Sequence, residues 1–268
     1  MFDRFDRAIT YLRISVTDRC NLRCTYCMPE EGVISKGHSD ILPYEKIVDV
    51  GREAVSLGIK KIRLTGGEPL VRKGILSLVE QLKQLSGLEE LTLTTNGVLL
   101  GKMAQSLKDA GIDRINISLD TLIPHKYHQL TRIGNIDDVL QGIAAAIRAG
   151  FKNTKINMVL IPGFNDDEVE RMQEFCHQDG LTLQRINHYV LENISSIDRH
   201  YAAERPLACR FCNRIRLTAD GKLKPCLFSG LEIPLDFTNL RESIIRAIQS
   251  KPEAGVSNPG GKNWQIGG

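Results

Sequence analysis

The cysteines of this chain are the residues best suited to chemistry, and they stand in two tight groups. The first group lies within eight residues and the second is more open, with thirteen residues between its last two members. The groups are Cys20, Cys24 and Cys27, and then Cys209, Cys212 and Cys226. Cys176 stands alone and makes the total seven. An odd number in this grouping is unlike a disulfide scaffold and is typical of metal, cluster or redox chemistry in a reducing compartment.

Each group offers three thiolates, and that number restricts the chemistry. A four-iron cluster is normally held by four cysteines, so three leave one iron open to a ligand that is not protein. Structural zinc usually has four protein ligands, so a zinc site would need completion from elsewhere. The main zinc alternative is a ribbon that pairs Cys24 and Cys27 with Cys209 and Cys212. It would leave the third cysteine of each group without a role.

Short apolar runs alternate with segments of helical period from Tyr11 to about His188, which is typical of repeated strand–helix units around a parallel sheet. The predicted strands cover residues 11–16, 61–64, 91–94, 114–119, 155–160 and 183–187. The predicted helices cover residues 43–57, 73–85, 99–110, 135–149 and 165–178. Farther on, residues 214–218 and 222–224 predict a hairpin around Ala219-Asp220-Gly221, and residues 239–250 a last helix.

The strand–helix pattern ends before residue 190, whereas a complete eight-fold barrel needs about 250 residues. We therefore expect an α/β fold: an incomplete (β/α)6 TIM-type barrel over residues 1–190, then a cluster-binding hairpin extension and Gly-rich tail over 191–268. An open doubly wound sheet is the alternative. In both folds chemistry gathers where parallel strands end. Three small polar loops follow predicted strands: Gly66-Gly67-Glu68-Pro69, Thr94-Thr95-Asn96-Gly97 and Ser118-Leu119-Asp120.

Composition favours a folded protein of the cytoplasm. Of 268 residues, 42% are hydrophobic and 25% charged, which are ordinary values for globular proteins. The net charge of +3 does not predict binding to nucleic acid or to a membrane. No apolar run approaches the roughly 18 residues of a membrane span, and the first residues lack the pattern of a secretory signal.

The first cysteine group resembles a known signature. Cys20-x-x-x-Cys24-x-x-Cys27, with Tyr26 before the last cysteine, resembles that of the radical S-adenosylmethionine (SAM) superfamily, and Gly66-Gly67-Glu68-Pro69 resembles its second motif. The resemblance implies a [4Fe-4S] cluster whose open iron binds SAM, which is cleaved to a 5′-deoxyadenosyl radical. The implied SAM contacts are Tyr26, Gly66, Gly67, Glu68 and Ser118. The two glycines would allow close approach of the methionine moiety, and Glu68 would accept from its ammonium.

The second group, Cys209-x2-Cys212-x13-Cys226, resembles the C-terminal cluster motif of the GTP 3′,8-cyclase family, radical SAM enzymes of molybdenum cofactor (molybdopterin) biosynthesis. The resemblance covers most of the chain and implies a second [4Fe-4S] cluster whose open iron contacts guanine. It implies GTP contacts at Arg13, Arg63, Thr94, Lys155, Arg185, Arg214 and Arg216. It also implies catalytic roles for Arg13, Arg214 and Arg216, and for a terminal Gly267-Gly268 that reaches into the active site.

The implied reaction is that of a lyase. The deoxyadenosyl radical removes the ribose 3′-hydrogen of GTP, and the carbon radical attacks guanine C8 to give (8S)-3′,8-cyclo-7,8-dihydroguanosine 5′-triphosphate. The implied partners are GTP as substrate, an electron donor such as flavodoxin or ferredoxin, and a pyranopterin synthase downstream. A homodimer is a further expectation.

Some positions depart from the family. Only residues 190–208 stand where the family has a longer segment, Val190 replaces a methionine that contacts SAM, and Arg210-Phe211 replaces small residues. One alternative is therefore a divergent two-cluster relative that acts on another nucleotide or a peptide. Another is a zinc- or cluster-stabilised binding module without turnover. Cys176 and His188 are predicted to be structural.

Overall fold

The computed structural model describes residues 1–32, 36–191, 202–258 and 261. Nine strands form one sheet in the order β6-β5-β4-β3-β2-β1-β7-β8-β9. The strands are β1 Tyr11–Ser15, β2 Lys61–Thr65, β3 Glu90–Thr95, β4 Arg114–Ser118, β5 Lys155–Leu160, β6 Thr182–Asn187, β7 Arg214–Leu217, β8 Lys222–Lys224 and β9 Ile233–Pro234. The helices are α1 Tyr44–Ser56, α2 Ile75–Lys83, α3 Leu100–Asp109, α4 Pro124–Thr131, α5 Ile136–Arg148, α6 Val169–Gln178 and α7 Leu240–Gln249.

Strands β1 to β6 are parallel and lie side by side in chain order, with helices in the connections. Sequential order is that of a barrel, whereas a doubly wound sheet reverses its order at a switch point. The doubly wound alternative is therefore wrong, and the incomplete barrel is confirmed. The barrel does not close: β6 and β1 do not pair, and β7 instead lies parallel to β1 on its other side.

The predicted elements agree with the structure to within a few residues at their ends. The predicted hairpin is present, since β7 and β8 are antiparallel, Thr218 N donates to Lys222 O, and Lys222 N donates to Thr218 Oγ1 across the turn. The last barrel helix begins later than predicted, at Val169, because a single 3-10 turn, Asp166–Glu168, precedes it. The sequence reading did not predict α4 or the two-residue strand β9.

The sheet has one apolar and one polar face. Residues directed at the helices are fully buried, as are Ile14, Leu64 and Leu93 on β1, β2 and β3. Cys176 of α6 belongs to this core at 2% exposure, as expected of a structural cysteine. Among the described residues, no helix combines the length and apolar character needed to cross a membrane.

Helices α3 and α5 pack closely on the outside of the sheet because of a glycine pair. A Cβ atom on Gly142 of α5 would lie 2.3 Å from the carbonyl oxygen of Gly97, far inside contact distance. Gly97 precedes α3 and has φ +84°, a conformation that favours glycine. By contrast, a Cβ on Gly101 of α3 would meet no atom closer than 3.9 Å.

This difference gives a matched test of helix packing. We expect Gly142→Ala to lower the free energy of unfolding by about 1–3 kcal/mol through overpacking. Gly101→Ala should leave it unchanged or raise it by up to about 1 kcal/mol through better helix propensity. Denaturant midpoints at constant m-value measure both. Equal midpoints for the two variants would contradict the close α3–α5 contact.

Candidate active site

The two cysteine groups lie at opposite ends of one strand pair. Residues 20–27 follow the C-terminal end of β1, whereas Cys209 and Cys212 precede the N-terminal end of β7. Because β1 and β7 run parallel, with Tyr11 beside Arg214, these are opposite ends of the strands. We call the end that holds Cys20, Cys24 and Cys27 the upper end and the opposite end the lower end. Five residues of strand, about 16 Å, lie between them. Cys226 lies beyond the end of β8, which is antiparallel to β7, and so joins the lower group.

The zinc ribbon is wrong for the same reason, since cysteines of the two groups cannot share one metal ion across the length of the strands. Within the described ranges, no three His, Cys, Asp or Glu side chains converge as ligands of a single ion. A four-iron cluster needs no such convergence, because each thiolate binds its own iron. All six cysteines are free thiols, and a set of three soft sulfur donors at each end fits an iron–sulfur cluster.

Helix α4, missed from the sequence, holds the first cysteine loop. The backbone N–H groups of Arg23 and Thr25 donate to the carbonyls of Thr131 and Leu130 at the C-terminal end of α4, at 3.1 and 2.9 Å. The guanidinium of Arg132, just past the helix, donates to the carbonyls of Arg23 and Met28 at 2.8 and 2.9 Å. These four bonds fix the loop against the barrel mouth.

The three cysteines of this loop are half-buried, and their surroundings disfavour the thiolate form. Burial raises the pKa of Cys20 and raises that of Cys24 far above its ordinary value, and it raises the pKa of Cys27 to about 12. The side-chain amide of Asn96, after β3, donates to the Cys20 sulfur at 3.8 Å and to Asn21 Oδ1 at 2.8 Å. A bound cation favours the thiolate form and would offset this effect of burial.

The Gly66-Gly67-Glu68-Pro69 turn packs on the segment that leads into Cys20. Gly67 N donates to Thr17 O at 2.7 Å and Glu68 N to Arg19 O at 2.8 Å. A Cβ on Gly67 would lie 2.3 Å from Arg19 O, and one on Gly66 2.6 Å from Thr17 O. Glycine is therefore required at both positions for a second purpose, because it lets the turn pack against the backbone of the segment before Cys20.

Two buried carboxyl groups complete the upper end. Glu68 accepts from Thr95 Oγ1, Asn96 N and Leu70 N at 2.8, 2.7 and 3.0 Å, and burial raises its pKa to about 7. Asp120 accepts from the Tyr26 hydroxyl at 2.8 Å and from Val159 N at 2.7 Å, and burial raises its pKa to about 6. The predicted SAM residues Tyr26 and Glu68 are thus both held in place by neighbouring strands.

A buried lysine joins the two strands that carry the second cysteine group. Lys251 follows α7 and is 2% exposed. Its Nζ donates to Arg214 O at 2.9 Å and to Pro225 O at 2.8 Å, close to Cys212 and Cys226 in sequence. Arg7 supports the same region by donating to Cys209 O at 3.0 Å.

Lys251 also acts on the thiols. Burial opposes ionisation of Cys212, but the charges of Lys251 and Arg214 outweigh it, and the pKa of Cys212 is lowered. At Cys226 burial prevails over Lys251, and the pKa is raised.

The inner face of the sheet is polar between the two cysteine groups, and we call the region that these side chains line the channel. Strand alternation and register order its residues from the lower to the upper end. Nearest the second group lie Arg214, Tyr11, Lys61 and the one carboxylate among these residues, Glu90; the next row is Arg216, Arg13, Arg63, Thr92 and Arg114; then come Thr94, Asn116 and Lys155; and last Ser118, Asn157 and Gln184. Positive charge is therefore concentrated toward the second cysteine group, and uncharged polar groups toward the first.

The arginines of the channel carry buried donors that the protein leaves unused. Among the described residues, the Nε atoms of Arg63, Arg114, Arg214 and Arg216 are buried without a hydrogen-bond partner. Burial, opposed by Tyr11 and reinforced by Arg13 and Arg114, lowers the pKa of Arg63 to about 10. Burial, reinforced by Arg13 and Arg214, does the same to Arg216. Several arginines that lie close together and each keep a buried Nε donor without a protein acceptor are typical of an anion site.

The structure brings most of the predicted site residues to this channel, and Arg63 Nη1 donates to Thr94 Oγ1 at 3.1 Å. Arg185 does not join them. It alternates with Gln184, borders an outer groove beside α6, and pairs with Glu204 at 2.6 Å. Val190 is 46% exposed after β6. Gly267 and Gly268 lie outside the described residues.

The sequence reading missed several channel residues. Tyr11 lies under three cations, with Lys61, Arg63 and Arg214 at 5.5, 5.9 and 5.3 Å from its ring centre. Arg114 pairs with Glu90 at 2.8 Å. Alternation along the predicted strands could have found them, because Tyr11 and Lys61 stand two residues before Arg13 and Arg63. No such signal existed for Lys251, which follows a helix.

Comparison with known proteins identifies the family of this chain. The model of the radical SAM superfamily matches residues 14–176. The GTP 3′,8-cyclase of Peptoclostridium acidaminophilum is 45% identical over 290 residues, covering 92% of this chain and 89% of the relative. That of Moorella thermoacetica is 43% identical over 303 residues, covering 94% of each.

Solved structures agree in fold. Streptococcus suis SuiB bound to precursor peptide SuiA superposes with a TM-score of 0.65 at 18% identity, over 82% of this chain and 60% of SuiB. Native anSMEcpe with bound AdoMet gives 0.62 at 14% identity, over 91% of this chain and 81% of that protein. Barrel, cysteine loop and family match together define a radical SAM enzyme, and the chain belongs to that superfamily. Within the superfamily, it belongs to the GTP 3′,8-cyclase family. Both predictions from the sequence are confirmed.

The alignments also agree with a shortened chain. The match to the P. acidaminophilum enzyme spans 290 positions, whereas 92% of 268 residues is only about 247. About 43 positions of the relative therefore have no counterpart here. The sequence analysis places this loss between β6 and the second cysteine group.

Lys251 gives a test of how the lower end is held. We expect Lys251→Met to lower the free energy of unfolding of the metal-free protein by about 1–3 kcal/mol, because two buried carbonyls lose their donor. Lys102→Met, at an exposed position of α3, is the control and should change little. Chemical denaturation measures both. A Lys251→Met protein as stable as the control variant would show that the carbonyls do not depend on Lys251.

Proposed function

We propose that this chain is a GTP 3′,8-cyclase that converts GTP to (8S)-3′,8-cyclo-7,8-dihydroguanosine 5′-triphosphate. The observation that carries the proposal is the channel of buried arginines with unused donors, between two groups of three free cysteines. A nucleoside triphosphate carries the negative charge that such donors bind. Membership of the GTP 3′,8-cyclase family supports GTP as that nucleotide.

The arginines bind and orient the nucleotide. Arg13, Arg63 and Arg216 share one register row, so their planar guanidinium groups can bind phosphate oxygens from three adjacent strands. Lys155, one row higher, adds a point charge. With its phosphates at this row, the nucleotide can extend its base toward the second cysteine group and its ribose toward the first. The rigid strands then fix the ribose, which excludes competing positions for the reacting hydrogen.

Cys20, Cys24 and Cys27 would hold a [4Fe-4S] cluster with SAM, which supplies a 5′-deoxyadenosyl radical when bound. Tyr26, Gly66, Gly67, Glu68 and Ser118 would contact SAM. Asn96 donates to the Cys20 sulfur, and hydrogen bonds to sulfur tune the potential of such clusters. The buried carboxyl group of Asp120 accepts from the Tyr26 hydroxyl and would fix the position of that ring.

Cys209, Cys212 and Cys226 would hold a second [4Fe-4S] cluster, with its open iron toward guanine. Lys251 and Arg214 add positive charge beside the thiols, and that charge favours an anionic cluster. This two-cluster assignment rests on the matching donor sets at both ends of the channel. Reduction would come from a donor such as flavodoxin or ferredoxin in the cytoplasm, and a pyranopterin synthase would take up the pathway downstream. A homodimer and a catalytic Gly267-Gly268 tail belong to the same proposal.

The decisive experiment is anaerobic reconstitution with iron and sulfide, followed by GTP, SAM and a strong reductant. We expect 5′-deoxyadenosine and the cyclised nucleotide in equal amounts by mass spectrometry. Deoxyadenosine alone would assign the chain to the divergent alternative, with another nucleotide or a peptide as substrate. The absence of both products from a fully loaded protein would contradict radical chemistry.

Arg216→Ala tests the role of the channel in the same assay. We expect the KM for GTP to rise at least about tenfold, since a charged hydrogen bond to phosphate is lost. The control is Arg148→Ala, at an exposed position of α5. An unchanged KM in Arg216→Ala would place the nucleotide elsewhere.

Iron content tests the number of clusters. We expect about eight irons per reconstituted chain, about four in Cys24→Ser and about four in Cys212→Ser, because each group holds its own cluster. Cys176→Ser, a core position, should retain all of them. Full iron content in Cys212→Ser would contradict the second cluster.

A further inference from the structure

The segment that precedes the second cysteine group covers part of the barrel's open edge. Residue 205 forms a parallel bridge with Ile186 of β6, and Asn187 N donates to Arg205 O at 2.9 Å. The bridge extends the sheet beyond its edge strand in the same direction as the barrel strands. This short segment therefore lies where a seventh barrel strand would stand.

Two neighbouring side chains of this segment reach opposite sides of the sheet. Glu204 is directed outward and binds Arg185 through both carboxylate oxygens, one to the backbone N–H at 2.7 Å and one to the guanidinium at 2.6 Å. Arg205, the next residue, must then face the channel. The anchoring of Glu204 fixes the direction of Arg205.

Arg205 enters the channel with a donor that the chain leaves unused. Among the described residues, its Nη1 atom is buried and has no hydrogen-bond partner. The charged groups that act on it are Arg214, Arg13 and Lys155, together with Tyr11 and Cys212. Burial and the charge of Arg214 lower the pKa of Arg205. Arg205 therefore adds a further arginine to the channel, on the side that the barrel strands leave open.

We propose that Arg205 binds a phosphate oxygen of the nucleotide substrate and acts as an affinity determinant at the barrel's open edge. The inference deepens the proposed function and rests on a triphosphate occupying the channel. The buried Nη1 donor requires an acceptor, and phosphate is the acceptor whose charge also relieves the repulsion among Arg205, Arg214 and Arg13. In this chain, the short segment 202–208 thus supplies a phosphate-binding arginine at the open edge, where no barrel strand lies.

The test compares ligands that share only the phosphates. Binding of GTP, inorganic tripolyphosphate and guanosine is measured by calorimetry on the reconstituted protein without reductant, so that no turnover occurs. We expect Arg205→Gln to weaken GTP and tripolyphosphate by the same factor, about ten- to hundredfold, and to leave guanosine unchanged. Arg205→Lys should recover part of the loss, and Arg148→Gln should bind as the wild type does.

The outcomes separate the two proposals. Unchanged tripolyphosphate affinity in Arg205→Gln, or an equal loss for guanosine, would overturn the role of Arg205. If the wild type binds tripolyphosphate but forms no cyclised nucleotide from GTP, the cyclase proposal fails while the phosphate contact stands. The thermal midpoint of ligand-free Arg205→Gln should equal or exceed that of the wild type, because a buried charge with an unused donor is removed. A lower midpoint would assign Arg205 a structural role instead.

Discussion

The parallel pairing of β1 with β7 is the constraint on which the site depends. It makes the first strand of the barrel the middle of a larger sheet, and it sets Arg13 between Arg63 and Arg216. It also gives the two cysteine groups opposite positions, since one follows β1 and the other precedes β7. An antiparallel pairing would have placed both groups at the same end of the strands, with no channel between them. A single register thus determines where substrate can lie.

The channel stores unfavourable electrostatic energy in the folded protein. Arg63 and Arg216 are buried close to other arginines, each has an Nε donor that the described chain does not satisfy, and their pKa values are lowered to about 10. The binding of a polyanion there, as we propose, would relieve this energy. Burial of the apolar face of the same strands against the helices stabilises the fold and offsets this electrostatic cost.

Much of this could be predicted from the sequence, because strand period, glycine turns and cysteine spacing are local signals. The cysteine loop, the barrel and most channel residues were within reach of such signals. The helix α4 was not, since its eight residues carry only a weak apolar stripe. Arg185 was placed in the channel by resemblance, but alternation with Gln184 turns it outward. Arg205 could not be predicted, because a segment without regular structure has no period from which its direction follows.

The order of synthesis has a consequence for β1. Its partner β2 follows about 45 residues later, but β7 begins at residue 214, so one edge of β1 stays unpaired until most of the chain has left the ribosome. Arg13 faces water on that side during this time, and a charged residue protects an open edge from pairing with other chains. Closure by β7 brings Cys209, Cys212 and Lys251 to the sheet together. The lower end can therefore form only after the upper end's residues have all been synthesised.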